Sequence, residues 1–406
     1  MKKVFFVLLI LCSSIQILSQ NLIRGIVVTS NNIPLEGASV YINNSSIGTT
    51  TNENGEFELK LKDGTYDLIV SFLGFKTISY PLITGNISST LKFKIIEDAN
   101  LLDEIVIFNT KYDQEWKYNL QSFKRSFIGQ TNLSRDCEIL NPKVLHFEFD
   151  AKNIKLIAIA KEPLKIKHTG LGYLITYDLV SFIQQKNTIT YLGYTKYENL
   201  KGGKRKQKKW KRNRLKAYNG STIHFLKSLL NNNFKEEGFI INQFKRVENP
   251  ERPSEDKIKR AREIIKLNSN SVDFSKNIKN PLTLLDSSLL IVRKARLPKF
   301  QDYLYKRNVP IEEIITKKNN ITLLTFENCL SVIYTKEKEE EGFIYRNSFS
   351  KKRNSGPQSS ALIMLNKYPT IDKTGTLINP LDIFYEGYWS YEKLGESLPL
   401  DYEPVK

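Results

Sequence analysis

The stretch Ala38–Phe72, ASVYINNSSIGTTTNENGEFELKLKDGTYDLIVSF, decides the fold of the N-terminal part of the chain. Ala38, Val40 and Ile42 alternate with Ser39, Tyr41 and Asn43. Phe57, Leu59 and Leu61 alternate with Glu58, Lys60 and Lys62, and Tyr66, Leu68, Val70 and Phe72 share one side. A period of two is the signature of a strand with one face buried. Asn52–Gly55 and Lys62–Gly64 interrupt the alternation with residues that favour turns. Outward from this stretch, Leu91, Phe93 and Ile95 repeat the pattern, and Asn31–Pro34 and Gly74 supply further turns. Short strands at such spacing predict a two-sheet β-sandwich of roughly seven strands over residues 22–98.

The same residues carry a family resemblance. Gly25, Pro34, Leu35, Gly37, Ala38, Val40, Gly48, Thr49, Thr51, Gly55, Phe57, Leu59, Gly64, Tyr66, Leu68, Ser71, Gly74 and Phe75 stand in the order of the carboxypeptidase-regulatory-like domain, a transthyretin-like sandwich. Asn52 departs from the Asp usual there but keeps the side-chain acceptor a turn needs. The resemblance implies a secreted or envelope protein of a Bacteroidetes-type bacterium, and an accessory domain without catalysis of its own. A zinc carboxypeptidase needs a His-x-x-Glu pair. Phe149, Leu171 and Lys227 stand three residues after the chain's three histidines, His146, His168 and His224, so that pattern is absent. Leu101–Thr110, LLDEIVIFNT, resembles the segment that follows this domain in outer-membrane nutrient receptors. No Gly-rich plug follows it here, and a receptor barrel is not expected.

Lys2 and Lys3, the apolar run Val4–Cys12 and the polar stretch to Gln20 have the order of a secretory signal peptide over residues 1–20. Export to the periplasm, or association with the outer membrane or cell surface, follows as the expectation. No later apolar run is long enough for a transmembrane helix, which takes ~20 residues. Export would place Cys137 and Cys329 in an oxidising compartment. A Cys137–Cys329 disulfide and two free thiols are both open readings.

Residues 99–115 read as a linker and 116–406 as a larger α+β module, so the chain is expected to be mainly β. Helices are predicted over Lys111–Phe127, from Ser221 as N-cap to Asn231, and over Glu255–Leu267. Strands are predicted around Leu145–Asp150, Lys155–Ala160, Leu164–Lys167, Tyr173–Leu179, Thr188–Gly193, Ile321–Phe326, Leu330–Tyr334 and Ser360–Leu365. Glu337–Glu341 and Lys351–Ser359 read as loops. His146 and His168 read as solvated, and His224 as structural. The aromatic cluster Phe384, Tyr385, Tyr388, Trp389 and Tyr391 reads as the closure of a core. The ending EGYWSYEKLGESLPLDYEP resembles exported flavobacterial proteins with the same front domain, a likeness that brings no activity with it.

The net charge is +18, and Lys201–Lys216 holds ten basic residues and no acidic one. Three readings compete for this run: a solvated loop or helix face, a contact with an anionic envelope polymer or lipid head groups, and a nucleic-acid site with Trp210 as stacking platform. The candidate polyanion-binding residues are Lys204, Arg205, Lys206, Lys208, Lys209, Trp210, Lys211, Arg212 and Arg214. Nucleic acid is not expected in an exported protein without a nucleic-acid fold signature. No nucleophile elbow, phosphate loop or Cys/His metal cluster is present, so no cofactor or metal is expected. The favoured function is a non-enzymatic envelope protein in which the sandwich docks or spaces and the larger module binds a polyanion or an envelope protein. The alternative is a glycan-acting hydrolase using carboxylates of the larger module.

Overall fold

The computed structural model describes residues 21–86, 90–98, 110–275, 278, 280–318, 321–346 and 353–405. The signal peptide, residues 101–109 of the LLDEIVIFNT segment and most of the expected linker lie outside them.

The N-terminal strands are β1 (Asn21–Thr29), β2 (Ser39–Ile42), β3 (Gly48–Thr50), β4 (Glu56–Leu61), β5 (Thr65–Ser71), β6 (Ile78–Ile83) and β7 (Leu91–Ile95). They form two sheets, β4-β1-β7 and β3-β2-β5-β6. The alternation sets which side faces inward: Ala38, Val40, Ile42, Phe57, Leu59, Leu61, Leu68, Val70, Phe93 and Ile95 form one buried cluster between the sheets. Two residues break the period. Tyr41 and Ile69 point to the other side of their sheet and are buried as well, because the next part of the chain covers that side. Thr77 donates to Asp178 at 2.8 Å, and Asn43 accepts from the Thr195 backbone at 2.9 Å.

The residues after Asp113, read from sequence as one module, carry two separate hydrophobic clusters. The first lies between α1 (Gln114–Phe127) and a sheet of β8 (Cys137–Ile139), β9 (Leu145–Asp150), β10 (Lys155–Ala160), β11 (Leu164–His168), β12 (Tyr173–Gln185) and β13 (Thr188–Asn199). Asp113 caps α1 by accepting from the Trp116 amide at 3.0 Å, which starts the helix three residues later than its apolar spacing suggested. Phe123 and Phe127 on its inner side are fully buried.

Two helices follow, α2 (Lys204–Tyr218) and α3 (Thr222–Leu230). Ser221 caps α3 through the His224 amide at 3.2 Å, as its position predicts. The second cluster packs α3 against β14 (Phe239–Glu248) and the strands that join it. Between β14 and β15 (Phe300–Lys306) stand α4 (Glu255–Leu267) and α5 (Leu284–Lys294). The small sheet β16 (Ile315–Lys318), β17 (Ile321–Leu324) and β20 (Thr370–Ile371) adjoins β15-β14-β18-β19-β21, completed by β18 (Cys329–Lys338), β19 (Pro357–Met364) and β21 (Ile383–Gly387). The expected loop at Glu337–Glu341 is instead the end of β18 and the start of a helical turn, because a register shift lets Lys338 pair with Pro357. The predicted core closure by aromatics is seen at Trp389, which is buried and donates from its indole to the Gly220 carbonyl at 2.7 Å.

A segment after β21, residues 392–403, runs back across the whole molecule. Leu394 and Leu398 enter the first cluster. The Leu400 amide donates to Asn44 at 2.7 Å, and Ser46 bonds Asp401, so the same segment reaches the N-terminal sandwich.

Cys137 and Cys329 are free. They belong to different sheets, β8 and β18, so the disulfide reading is set aside.

Candidate functional site

The basic run folds as helix α2, and its period separates two kinds of residue. Trp210, Asn213, Arg214 and Ala217 share one side, which turns onto the β11–β12 connection. The indole of Trp210 donates to the Thr169 carbonyl at 2.8 Å, and Asn213 donates to Gly170 at 2.9 Å. Arg214 donates to Leu171 at 2.7 Å, to Gly172 at 3.1 Å and to Asn199 at 3.0 Å. Its guanidinium lies 3.9 Å from the Tyr173 ring centroid, in cation–π contact. Burial pulls the Arg214 proton affinity down, and Tyr173 opposes that. Gly172 has φ +76° and any Cβ there would strike the Trp210 ring, so the indole seat requires glycine.

Trp210 and Arg214 therefore leave the expected polyanion set. Trp210 is 4% exposed and cannot offer a stacking surface. The other seven candidates, Lys204, Arg205, Lys206, Lys208, Lys209, Lys211 and Arg212, are exposed. Lys209 pairs with Asp136 at 3.4 Å. Lys216, on the same helix, pairs with Glu340 at 3.4 Å. Lys204, Arg205, Lys206, Lys208, Lys211 and Arg212 carry no ion pair among the described residues. Gly203 caps the helix without a side-chain bond, and no acidic residue stands in the first turn.

The histidines divide. His168 is wholly buried, a correction to its solvated reading. Leu164 and Ile166 precede it on the inward side of β11, and the period of two carries His168 inward with them. Its Nδ1 accepts from the Leu171 amide at 3.2 Å and its Nε2–H donates to Gly395 at 2.9 Å, which defines a neutral tautomer. His224 is buried and structural, its Nδ1 accepting from Gly220 at 3.0 Å. His146 is half-buried with Nδ1 3.2 Å from the Thr110 hydroxyl. No group of three His, Cys, Asp or Glu suited to a metal ion occurs among the described residues.

Sequence reading missed a cleft where the sandwich, the first cluster and the second cluster meet. Asp67, Asp372 and Glu392 line it. Asp372 folds back onto its own turn, accepting from the Thr374 and Thr376 amides at 2.9 Å. Asp67 hydrogen-bonds Asn43, while burial raises its pKa. The Glu392 carboxyl group has no hydrogen-bond partner among the described residues, although its amide bonds Tyr388 at 3.1 Å. Burial, then the neighbouring Glu396, Glu337 and Glu340, raise its pKa well above the usual carboxylate range. These residues come from distant segments, and no local pattern marks them.

Residues 23–107 match the family model of the CarboxypepD_reg-like domain, so the N-terminal sandwich is a domain of that kind. The chain is similar to the TonB-dependent receptor SusC of Bacteroides thetaiotaomicron, with 32% identity over 85 residues. That match takes in 21% of this chain and spans only 8% of the receptor's length. A solved structure of a DUF3823 family protein from Bacteroides ovatus aligns over 46% of this chain and 83% of its own, at 10% identity and a TM-score of 0.16. No helix among the described residues is long and apolar enough to cross a membrane.

Proposed function

We propose that this chain, with its N-terminal carboxypeptidase-regulatory-like domain, is an exported Bacteroidetes-type envelope protein that holds polyanions on the solvent face of α2. The observation that carries the reading is a helix kept rigid against its own charge. Lys204 and Lys208, Arg205 and Lys209, and Lys208 and Arg212 stand four residues apart, each pair costing roughly 0.2–0.5 kcal/mol. Cations in the first turn also oppose the helix dipole. The clamp of Trp210, Asn213 and Arg214 offsets this repulsion and leaves six unpaired cations in a fixed array. A merely solvated run needs no such clamp. An anionic polymer or lipid surface beside the array would relieve the repulsion and meet the uncapped amides of the first turn.

The sandwich acts in this reading as a fixed brace for the binding module, since its second sheet is covered by β13 and the 392–403 segment. The hydrolase alternative draws little support from the cleft, where Asp372 is engaged in its own turn and Asp67 with Asn43.

The test is retention on heparin and on lipopolysaccharide vesicles of the wild type and of a variant with Lys204, Arg205, Lys206, Lys208 and Lys211 all changed to Gln. The variant should elute at clearly lower salt with an unchanged melting temperature, because surface changes of this kind stay within about 0.5 kcal/mol each. Wild-type retention should fall steeply with salt, as the Debye length shrinks from ~10 Å at 0.1 M to ~3 Å at 1 M. Equal elution positions would overturn the reading.

A further inference from the structure

The cleft at the three-way junction has a volume of about 450 Å³, within the ~300–1,000 Å³ typical of small-ligand sites. Its polar groups are unusual in one respect. Tyr177, Tyr191 and Tyr385 line it, and their hydroxyls have no hydrogen-bond partner among the described residues. Tyr177 is only 4% exposed, yet each of the three hydroxyl oxygens keeps some accessible surface. Tyrosine hydroxyls in enclosed settings usually find a partner. Tyr197, by contrast, is satisfied by Ser397 at 2.8 Å.

The rings are placed rigidly. Tyr177 and Tyr191 both stand edge-on to Phe127, with centroids 4.8 Å and 5.2 Å away. Tyr385 stands edge-on to Trp389 at 5.8 Å. Each ring is thus held by a buried aromatic neighbour, and each hydroxyl is free to bond something else. The rest of the wall mixes apolar side chains, such as Ile42, Ile223 and Leu377, with polar ones, such as Asn43, Thr195 and Ser397.

The charges narrow the ligand. An anion would face Asp67 and Asp372. A cation would face Lys393, so groups of both signs line the cleft and neither sign of net charge is matched by the whole wall. A bare hydrocarbon tail would leave three phenols unmatched. A molecule that alternates hydroxyls with apolar ring faces satisfies both the phenols and polar side chains and the apolar residues between them. We propose that this cleft is a binding site for an uncharged short saccharide, with Tyr177, Tyr191 and Tyr385 as its hydrogen-bonding residues.

The experiment uses the full chain and titrates maltose, cellobiose and chitobiose, with digalacturonate and decanoate as charged and apolar comparisons, read by calorimetry and saturation-transfer NMR. At least one neutral disaccharide should bind in preference to both comparisons. The double variant Tyr191→Phe/Tyr385→Phe removes two hydroxyls while keeping both rings, and should weaken binding about tenfold. If the double variant melts early, Tyr177→Phe reads the same loss. The five-fold Gln variant of α2 should bind the disaccharide as the wild type does, which separates this site from the polyanion face. The proposal is overturned if no neutral disaccharide binds, if digalacturonate or decanoate is preferred, or if removing the hydroxyls changes nothing.

Discussion

At the scale of single residues, Trp210 shows how composition can hide geometry. Ten basic residues in sixteen positions invite a reading by charge alone, and an indole among them suggests a stacking platform. The inward stripe at 210, 213, 214 and 217 was nonetheless present in the spacing. What the sequence did not contain was the surface it meets, four consecutive carbonyls of the β11–β12 connection that need donors. Trp210→Ala should cost ~3–5 kcal/mol, the range for deleting a buried aromatic, and should be seen as a large drop in melting temperature. Arg214→Lys should also destabilise, because an ammonium cannot reach the Leu171 and Gly172 carbonyls with a fork while lying flat on Tyr173. A Trp210→Ala protein as stable as the wild type would show that α2 is not clamped. His168 carries the same lesson. The alternation Leu164, Ile166, His168 pointed inward, and the residue type alone suggested solvent.

At the scale of elements, the sandwich was legible because each of its sheets has one face packed on the other, the condition under which period-two patterns are informative. The exceptions, Tyr41 and Ile69, are buried by a different part of the chain, and no local pattern encodes that. Helices with a capping residue in place, such as α3 behind Ser221, were also legible. The 392–403 segment was not, since Leu394 and Leu398 belong to no periodic run and are fixed by distant partners. This bears on the sandwich as a separate unit. Residues 21–98 alone should give a β-type circular dichroism spectrum and unfold cooperatively. They should also self-associate, because excision bares Tyr41 and Ile69 on one flat sheet face. Sedimentation velocity should show the association, and Tyr41→Thr/Ile69→Thr should reduce it. A monomeric excised domain with the native sequence would place the face assignment in error.

At the scale of the whole molecule, the 392–403 segment joins the sandwich to the first hydrophobic cluster, and its attachment involves two groups with opposite proton requirements. His168 can donate to Gly395 in either protonation state, but it accepts from the Leu171 amide at Nδ1 only as a neutral imidazole. Burial lowers its pKa below the ordinary 6.5, with the Gly395 bond and Asp136 opposing. Its unfolded form takes up a proton more readily, so its contribution is present above pH 6.5 and is lost as pH falls toward the folded value. One residue further on, Glu396 has its pKa raised to about 7, chiefly by burial and further by Glu340 and Glu337, against the Thr131 bond and Lys216. Here the folded form is the better proton acceptor. Its contribution is complete below the unfolded value near 4.5 and is lost as pH rises through about 7. Between pH 5 and 6.5 the two slopes oppose each other, so neither is visible in the wild-type profile alone. Difference profiles separate them. The melting temperature of the wild type minus that of Glu396→Gln should fall from pH 5 to pH 8. The wild type minus His168→Asn should rise from pH 5 to pH 7. Parallel profiles in either comparison would show that the segment is docked without regard to these protons, and that the two groups are spectators buried beneath it.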